Sequence, residues 1–221
     1  MHGKEWDLLL YSDTTELPVH IGNICRACGI VAVTYAAASA LIKEKELFDY
    51  TENDAFTSKI QGRYIIFYRG DLEVDEMRCA VMHEIAHIVC GHTSTESAVF
   101  DGEATTWNRH SVRPPNIIEE AADDFAASVL APACVLWALK IRRTNEIEKL
   151  CGVTRKLARR RAERMEELYA REERFLAYKG MTCFLMSEKE RRLYDKFKDF
   201  ISKNKPPKKR SGRVNDGDRK D

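Results

Sequence analysis

Residues 83–87 read His-Glu-Ile-Ala-His. On a helix, positions i and i+4 share a face, so His83 and His87 present both imidazoles to one metal ion. Glu84 lies beside that face, close to the ion but out of line with it. That position suits a general base acting on a metal-bound water. Ala80, Val81, Ile85, Ile88 and Val89 cover much of the same helix, which must therefore be largely buried. Three ionisable groups on a buried helix are costly unless they are paired or metal-bound.

A catalytic zinc takes three protein ligands and keeps a fourth position open. His92 follows the pentapeptide, but the metzincin pattern would need Gly and His where Cys90 and Thr93 stand. An imidazole at 92 is instead placed to meet the free carbonyls at the helix end. Stronger candidates come from the segment IEEAADDFAA at residues 118–127, whose apolar stripe is Ile118, Ala122, Phe125 and Val129. Glu119 and Asp123 share one flank of that stripe. Glu119 can bind the metal while Asp123 accepts a hydrogen bond from the outer N–H of a ligand histidine. Glu120 and Asp124 repeat the spacing one position on, turned further towards solvent.

These residues need two helices and something to hold them. The first helix is expected over residues 75–90, with Asp75 and Glu76 at its positive end and Gly91 just past its last turn. Residues 64–68, Tyr-Ile-Ile-Phe-Tyr, predict a strand, and residues 56–60 a hairpin partner. Residues 92–115 read as a polar surface loop closed by two prolines. Asn116 then caps a second helix that Pro132 ends. Residues 16–47 read as mainly helical, although residues 29–35 are β-branched enough for a strand. Seven cysteines at scattered spacings fit reduced thiols in a cytoplasmic protein, and the lone Cys25-x-x-Cys28 lacks the second pair a structural zinc needs. The longest uncharged run, residues 27–42, is too short and too weakly apolar to span a bilayer.

HEIAHIVCGH at residues 83–92, followed by EEAADDFAASVLAP at 119–132, resembles the ImmA/IrrE family of metallopeptidases. The similarity runs over roughly residues 16–165. It implies an α+β, gluzincin-like fold with a short sheet packed on the HExxH helix. It also implies one zinc ion per chain held by His83, His87 and Glu119, with Glu84 as base. The substrate it implies is a helix-turn-helix repressor of a mobile element or stress response, cut at one site. Two departures stand out. Ala121 occupies a place where the family often has glutamate, which leaves Glu119 as the better match to the ligand position. Asp123 stands where asparagine is common, and can make the same hydrogen bond. The developing oxyanion needs a donor besides the metal, and His110, Arg109 and Tyr64 are candidates. The strand at 64–68 is either an ordinary core strand or a cleft edge that pairs with an extended substrate.

The charge is split along the chain. Residues 1–139 carry 10 Lys and Arg against 21 Asp and Glu, and residues 140–221 carry 26 against 14. Within the basic part, residues 145–168 read as helix, Gly-Val-Thr turn and helix. Their expected core is Ile147, Leu150, Val153, Leu157, Ala158, Met165 and Leu168, with Arg155, Lys156, Arg159, Arg160 and Arg161 lining the second helix. Arg155, Lys156, Arg159 and Arg160 are candidate DNA contacts. The competing reading is a helical support with a solvated basic face. The expected organisation is a metallopeptidase domain over residues 1–140, a basic helix-turn-helix-like region over 141–202 and a disordered basic tail over 203–221. Two further functional readings compete with the peptidase. One is a DNA-binding regulator with a structural or vestigial metal site, and the other is a scaffold that binds a repressor without cutting it.

Overall fold

The computed structural model describes residues 3–92, 104–106, 116–179 and 182–205. Two helices, α1 (Lys4–Tyr11) and α2 (Ile21–Cys28), lead into strand β1 (Val31–Thr34). The ambiguous stretch at 29–35 is thus a strand inside an otherwise helical region. After α3 (Ser39–Glu44) comes a hairpin of β2 (Ala55–Ile60) and β3 (Arg63–Tyr68). Then follow the long helix α4 (Val74–Cys90), a short strand β4 (Ala104–Thr106) and α5 (Asn116–Leu130). The basic part is helical: α6 (Ala133–Ala138), α7 (Thr144–Cys151), α8 (Arg155–Lys179), α9 (Glu188–Lys196) and α10 (Lys198–Asn204). The chain is α+β. α10 continues through Lys203, where the sequence suggested that the tail starts, and residues 206–221 lie outside the described part.

The sheet order is β1-β3-β2-β4. β1 runs parallel to β3, and β2 is antiparallel to both β3 and β4. Two expectations are corrected here. The stretch 92–115 is not all loop, because Ala104–Thr106 pairs with Ser58–Ile60. The strand at 64–68 is not a substrate edge: its main chain is paired with β1 on one side and β2 on the other.

Period-two alternation sorts the strand residues between two cores. Ala55, Tyr64, Ile66, Tyr68 and Ala32 face the main core, which contains α4 and α5. Phe56, Ile60, Ile65, Phe67 and Val33 face a smaller cluster with Ile42 of α3 and Leu47. Phe56 and Phe67 stack there at 4.9 Å. Thr57 lies between Ala55 and Lys59 on the α4-facing side, which sets its role below.

α4 starts where the Glu76 carboxylate accepts a hydrogen bond from the Glu73 N–H at 3.1 Å. It stops at Gly91, whose φ of 79° is left-handed. Val81, Met82, Ile85 and Ala86 are fully buried between sheet and α5.

The helix–turn–helix of α7 and α8 packs on this unit. Ile147, Val153, Ala158 and Met165 are buried as expected. At the turn, the Gly152 carbonyl accepts from Arg78 Nη1 of α4 at 2.8 Å. Gly152 has φ 55°, and a Cβ there would lie 2.6 Å from Arg78 Nη1, so a side chain would strain the backbone and displace that guanidinium. The main apolar cluster runs continuously from Leu8 to Ile201, across the expected boundary at residue 140. α9 packs on α1: Lys189 pairs with Asp7 at 2.6 Å, and the Lys196 ammonium donates to the carbonyls of Leu9, Leu10 and Ser12. A cation on the last carbonyls of α1 offsets their unpaired negative ends.

Candidate active site

α4 brings His83 and His87 to one side, and the packing of α5 against α4 brings Glu119 to them. His83 Nε2 lies 3.0 Å from His87 Nε2 and 3.1 Å from Glu119 Oε2. His87 Nε2 lies 3.4 Å from Glu119 Oε1. Four ligands placed tetrahedrally at zinc bond lengths stand about 3.3 Å apart. The three side chains are thus spaced as ligands to one small ion would be. They form the one metal-capable cluster of three His, Cys, Asp or Glu among the described residues.

The outer nitrogens explain why these atoms converge. A carboxylate only accepts, so the Asp123 Oδ1 contact of 2.8 Å puts the proton on His83 Nδ1. That leaves His83 Nε2 as a lone pair directed at its neighbours. The same hydrogen bond holds the Asp123 carboxyl below the usual aspartate range. His87 Nδ1 meets His92 Nδ1 at 3.2 Å. Burial, then the neighbouring His87, push the His92 imidazole below its ordinary pKa. In the tautomer where His87 Nδ1–H donates to His92, His87 Nε2 is the second lone pair. Two lone pairs and a carboxylate oxygen at such distances repel unless a cation sits among them. His92 thus reaches the outer nitrogen of a candidate ligand ring, a contact not foreseen from its position after the motif.

Glu84 is 5% exposed, and its Oε2 accepts from Thr57 Oγ1 at 2.8 Å. Sequence reasoning missed both Thr57 and the role of His92. Threonine on the α4-facing side of β2, among apolar neighbours, was the available signal for the first; for the second there was only proximity to the motif.

Glu120 and Asp124 are exposed and take no part in the cluster formed by His83, His87 and Glu119. Asp124 accepts from Arg160 Nε at 2.6 Å, and the Glu120 carbonyl accepts from Arg160 Nη2 at 3.0 Å. The same guanidinium stands 3.8 Å from Asp123 Oδ2. Arg160 thus clamps α8 to the helix that carries Glu119. Arg161 is buried, with its Nε donating to the Ala131 carbonyl at 2.7 Å, and desolvation lowers its pKa to about 10. Arg155, Lys156 and Arg159 are exposed. Tyr64 packs on the main core, with the Lys59 ammonium 5.2 Å from its ring centroid. His110 and Arg109 lie outside the described residues. The seven cysteines are free, and burial pushes Cys25 up to about 11 and both Cys134 and Cys151 to about 12. Such thiols stay protonated near neutral pH.

No helix among the described residues is long and apolar enough to cross a membrane. No curated protein and no solved structure matches the chain. A family model does: the IrrE N-terminal-like domain of the M78 peptidases matches residues 42–171, more than half of the chain and all of the cluster just described. The chain belongs to this metallopeptidase family of the ImmA/IrrE type.

Proposed function

We propose that this protein is a zinc-dependent endopeptidase that cuts one peptide bond in a cytoplasmic protein substrate, a helix-turn-helix transcriptional repressor. The observation that carries the catalytic part is the convergence of His83, His87 and Glu119, whose ligand atoms all lie within 4.8 Å of one another. Two imidazoles and one carboxylate with a fourth position open are the donor set of a catalytic zinc site. The repressor as substrate rests on the resemblance of the two motifs.

When bound, the ion supplies Lewis acidity, polarising the scissile carbonyl and lowering the pKa of water towards neutrality. The chain's own residues do the rest. Glu84 accepts the proton of the attacking water and returns it to the leaving amine. Thr57 fixes which way that carboxylate points. Asp123 and His92 hold the two imidazoles in the ligating tautomer. Tyr64, Arg109 and His110 are the candidate donors to the developing oxyanion. β4 is the outer strand beside β2, so an extended substrate would add to the sheet there rather than at β3.

The test is co-expression of wild type and Glu84→Gln with candidate repressors, followed by mass spectrometry of fragments and metal analysis. Both proteins should carry about one zinc per chain, the number of ligands in the cluster allowing one tetrahedral ion. Cleavage by the variant should fall by at least about a hundredfold. Equal cleavage would remove Glu84 from the mechanism. A second reading, a DNA-binding regulator, is favoured by the exposed Arg155, Lys156 and Arg159 on one helix. It requires salt-dependent duplex binding that weakens in Arg159→Ala.

A further inference from the structure

Away from the metal cluster, a cavity of about 320 Å³ opens where α6, α8 and α9 meet. The geometry points to a binding site for a small aromatic anion of the mononucleotide type. The lining is unusual in composition: three aromatic side chains, Trp137, Tyr169 and Tyr194, and three cations, Lys140, Arg142 and Lys205. No carboxylate lines it among the described residues. Aromatic walls take a planar ring by stacking, and clustered cations take a phosphate or carboxylate. The volume stands at the small end of ligand pockets, room for one nucleotide rather than a dinucleotide.

The walls are fixed before any ligand arrives. The Trp137 indole N–H donates to Glu172 Oε1 at 3.1 Å, and the same oxygen accepts from Thr182 Oγ1 at 2.7 Å. Phe184 covers the indole in a stacked arrangement, centroids 5.6 Å apart. The Arg142 guanidinium lies over Tyr169 at 4.8 Å, which orders the cation while leaving its planar N–H fork able to grip an anion. Lys140 occupies the turn after α6 with φ 59°. Glycine is the usual residue in that left-handed position, and a lysine there is strained. What the lysine adds is an ammonium at the cavity.

The family match ends at residue 171, so Tyr194 and Lys205 come from outside the family domain. The chain's own C-terminal residues are poor occupants, because residues 206–221 carry six Lys and Arg against three Asp and would meet three cations. The cavity shares no residue with the metal cluster, and the inference stands apart from the proposed peptidase activity.

The test is isothermal titration of the full chain with adenosine monophosphate, with adenosine and inorganic phosphate as separate probes. Saturable one-site binding of the nucleotide is expected, with each fragment at least about tenfold weaker, since ring and charge both contribute. Arg142→Gln and Tyr194→Leu should each weaken it by at least about tenfold. Lys140→Gly is the control for folding: it relieves the backbone, so the melting temperature should not fall, yet binding should weaken. The inference is overturned by any of three results: no saturable heat with the nucleotide, phosphate alone binding as tightly, or Arg142→Gln and Lys140→Gly both binding like wild type.

Discussion

Replacing Asp123 by alanine removes the carboxylate that meets His83 Nδ1 while leaving all three ligand side chains in place. The contact is short, 2.8 Å, charge-assisted, and made to a histidine side chain that is 16% exposed. Loss of such an outer partner weakens metal binding by about 10–100-fold. Two features pull the value away from the upper end. Asp123 is one-third exposed, and Arg160 already draws on its other oxygen at 3.8 Å. A loss of about 30-fold, or about 2 kcal/mol, follows. For a chain of this size each kcal/mol moves the melting temperature by about 2–4 °C. The zinc-induced rise in melting temperature should therefore shrink by about 4–8 °C at fixed excess zinc. Asp123→Asn, whose amide oxygen still accepts, should fall between the two. The measurement is a competition titration against a chromogenic chelator, with calorimetry of apo and zinc-loaded protein. A zinc affinity in Asp123→Ala within about twofold of wild type would refute the claim that this carboxylate orients His83. The pH dependence has a definite sign. The folded pKa of Asp123 is depressed below 3.8, so its contribution is complete above that value and fades only as pH falls through the folded pKa. Any zinc loss at pH 5–6 is then not due to protonation of Asp123.

Thr57→Val keeps the shape of a buried strand position but removes the hydrogen bond to Glu84; turnover should fall about tenfold with zinc affinity unchanged, measured by steady-state cleavage and chelator competition. His92→Ala should weaken zinc severalfold through His87, read by the same competition. Arg161→Met leaves the buried Ala131 carbonyl without its donor, and should cost about 1–3 kcal/mol in urea denaturation; an unchanged midpoint would show that the carbonyl finds another partner. Arg160→Ala separates the two uses of α8. If the helix meets DNA through Arg155, Lys156 and Arg159, this variant should keep the salt slope of duplex binding, because Arg160 is already spent on Asp124, whereas each of the other three should lower the slope by about one.

The C-terminal helices do more than follow the metallopeptidase unit. Arg78 of α4 reaches the Gly152 carbonyl, and Arg160 of α8 reaches the acids of α5. Both helices that carry the metal cluster are therefore braced from the basic part of the chain. The side of α8 that carries Arg160 and Arg161 is committed to that bracing, which leaves Arg155, Lys156 and Arg159 exposed beside it.

Local periodicity made much of this legible in one dimension. The four-residue repeat of an α-helix is set by its own backbone hydrogen bonds, so His83 and His87, and likewise Glu119 and Asp123, had to share a face wherever the helices went. The hairpin of β2 and β3 and the stop at Gly91 are local in the same sense, written in β-branched residues and in a left-handed glycine. What stayed hidden depends on contacts between segments far apart in the chain. Alternation along residues 64–68 could not show that a parallel β1 would occupy one side of that strand and β2 the other. The apolar stripe ranked Glu119 ahead of Glu120, but only the packing of α5 against α4 brings Glu119 to the histidines. Thr57 meets Glu84 only after sheet and helix have packed. Which side chains share a helix face follows from their spacing along the chain, because that geometry repeats every turn. The tertiary structure alone decided which faces meet, because burial drives elements together without specifying, residue by residue, what each will touch.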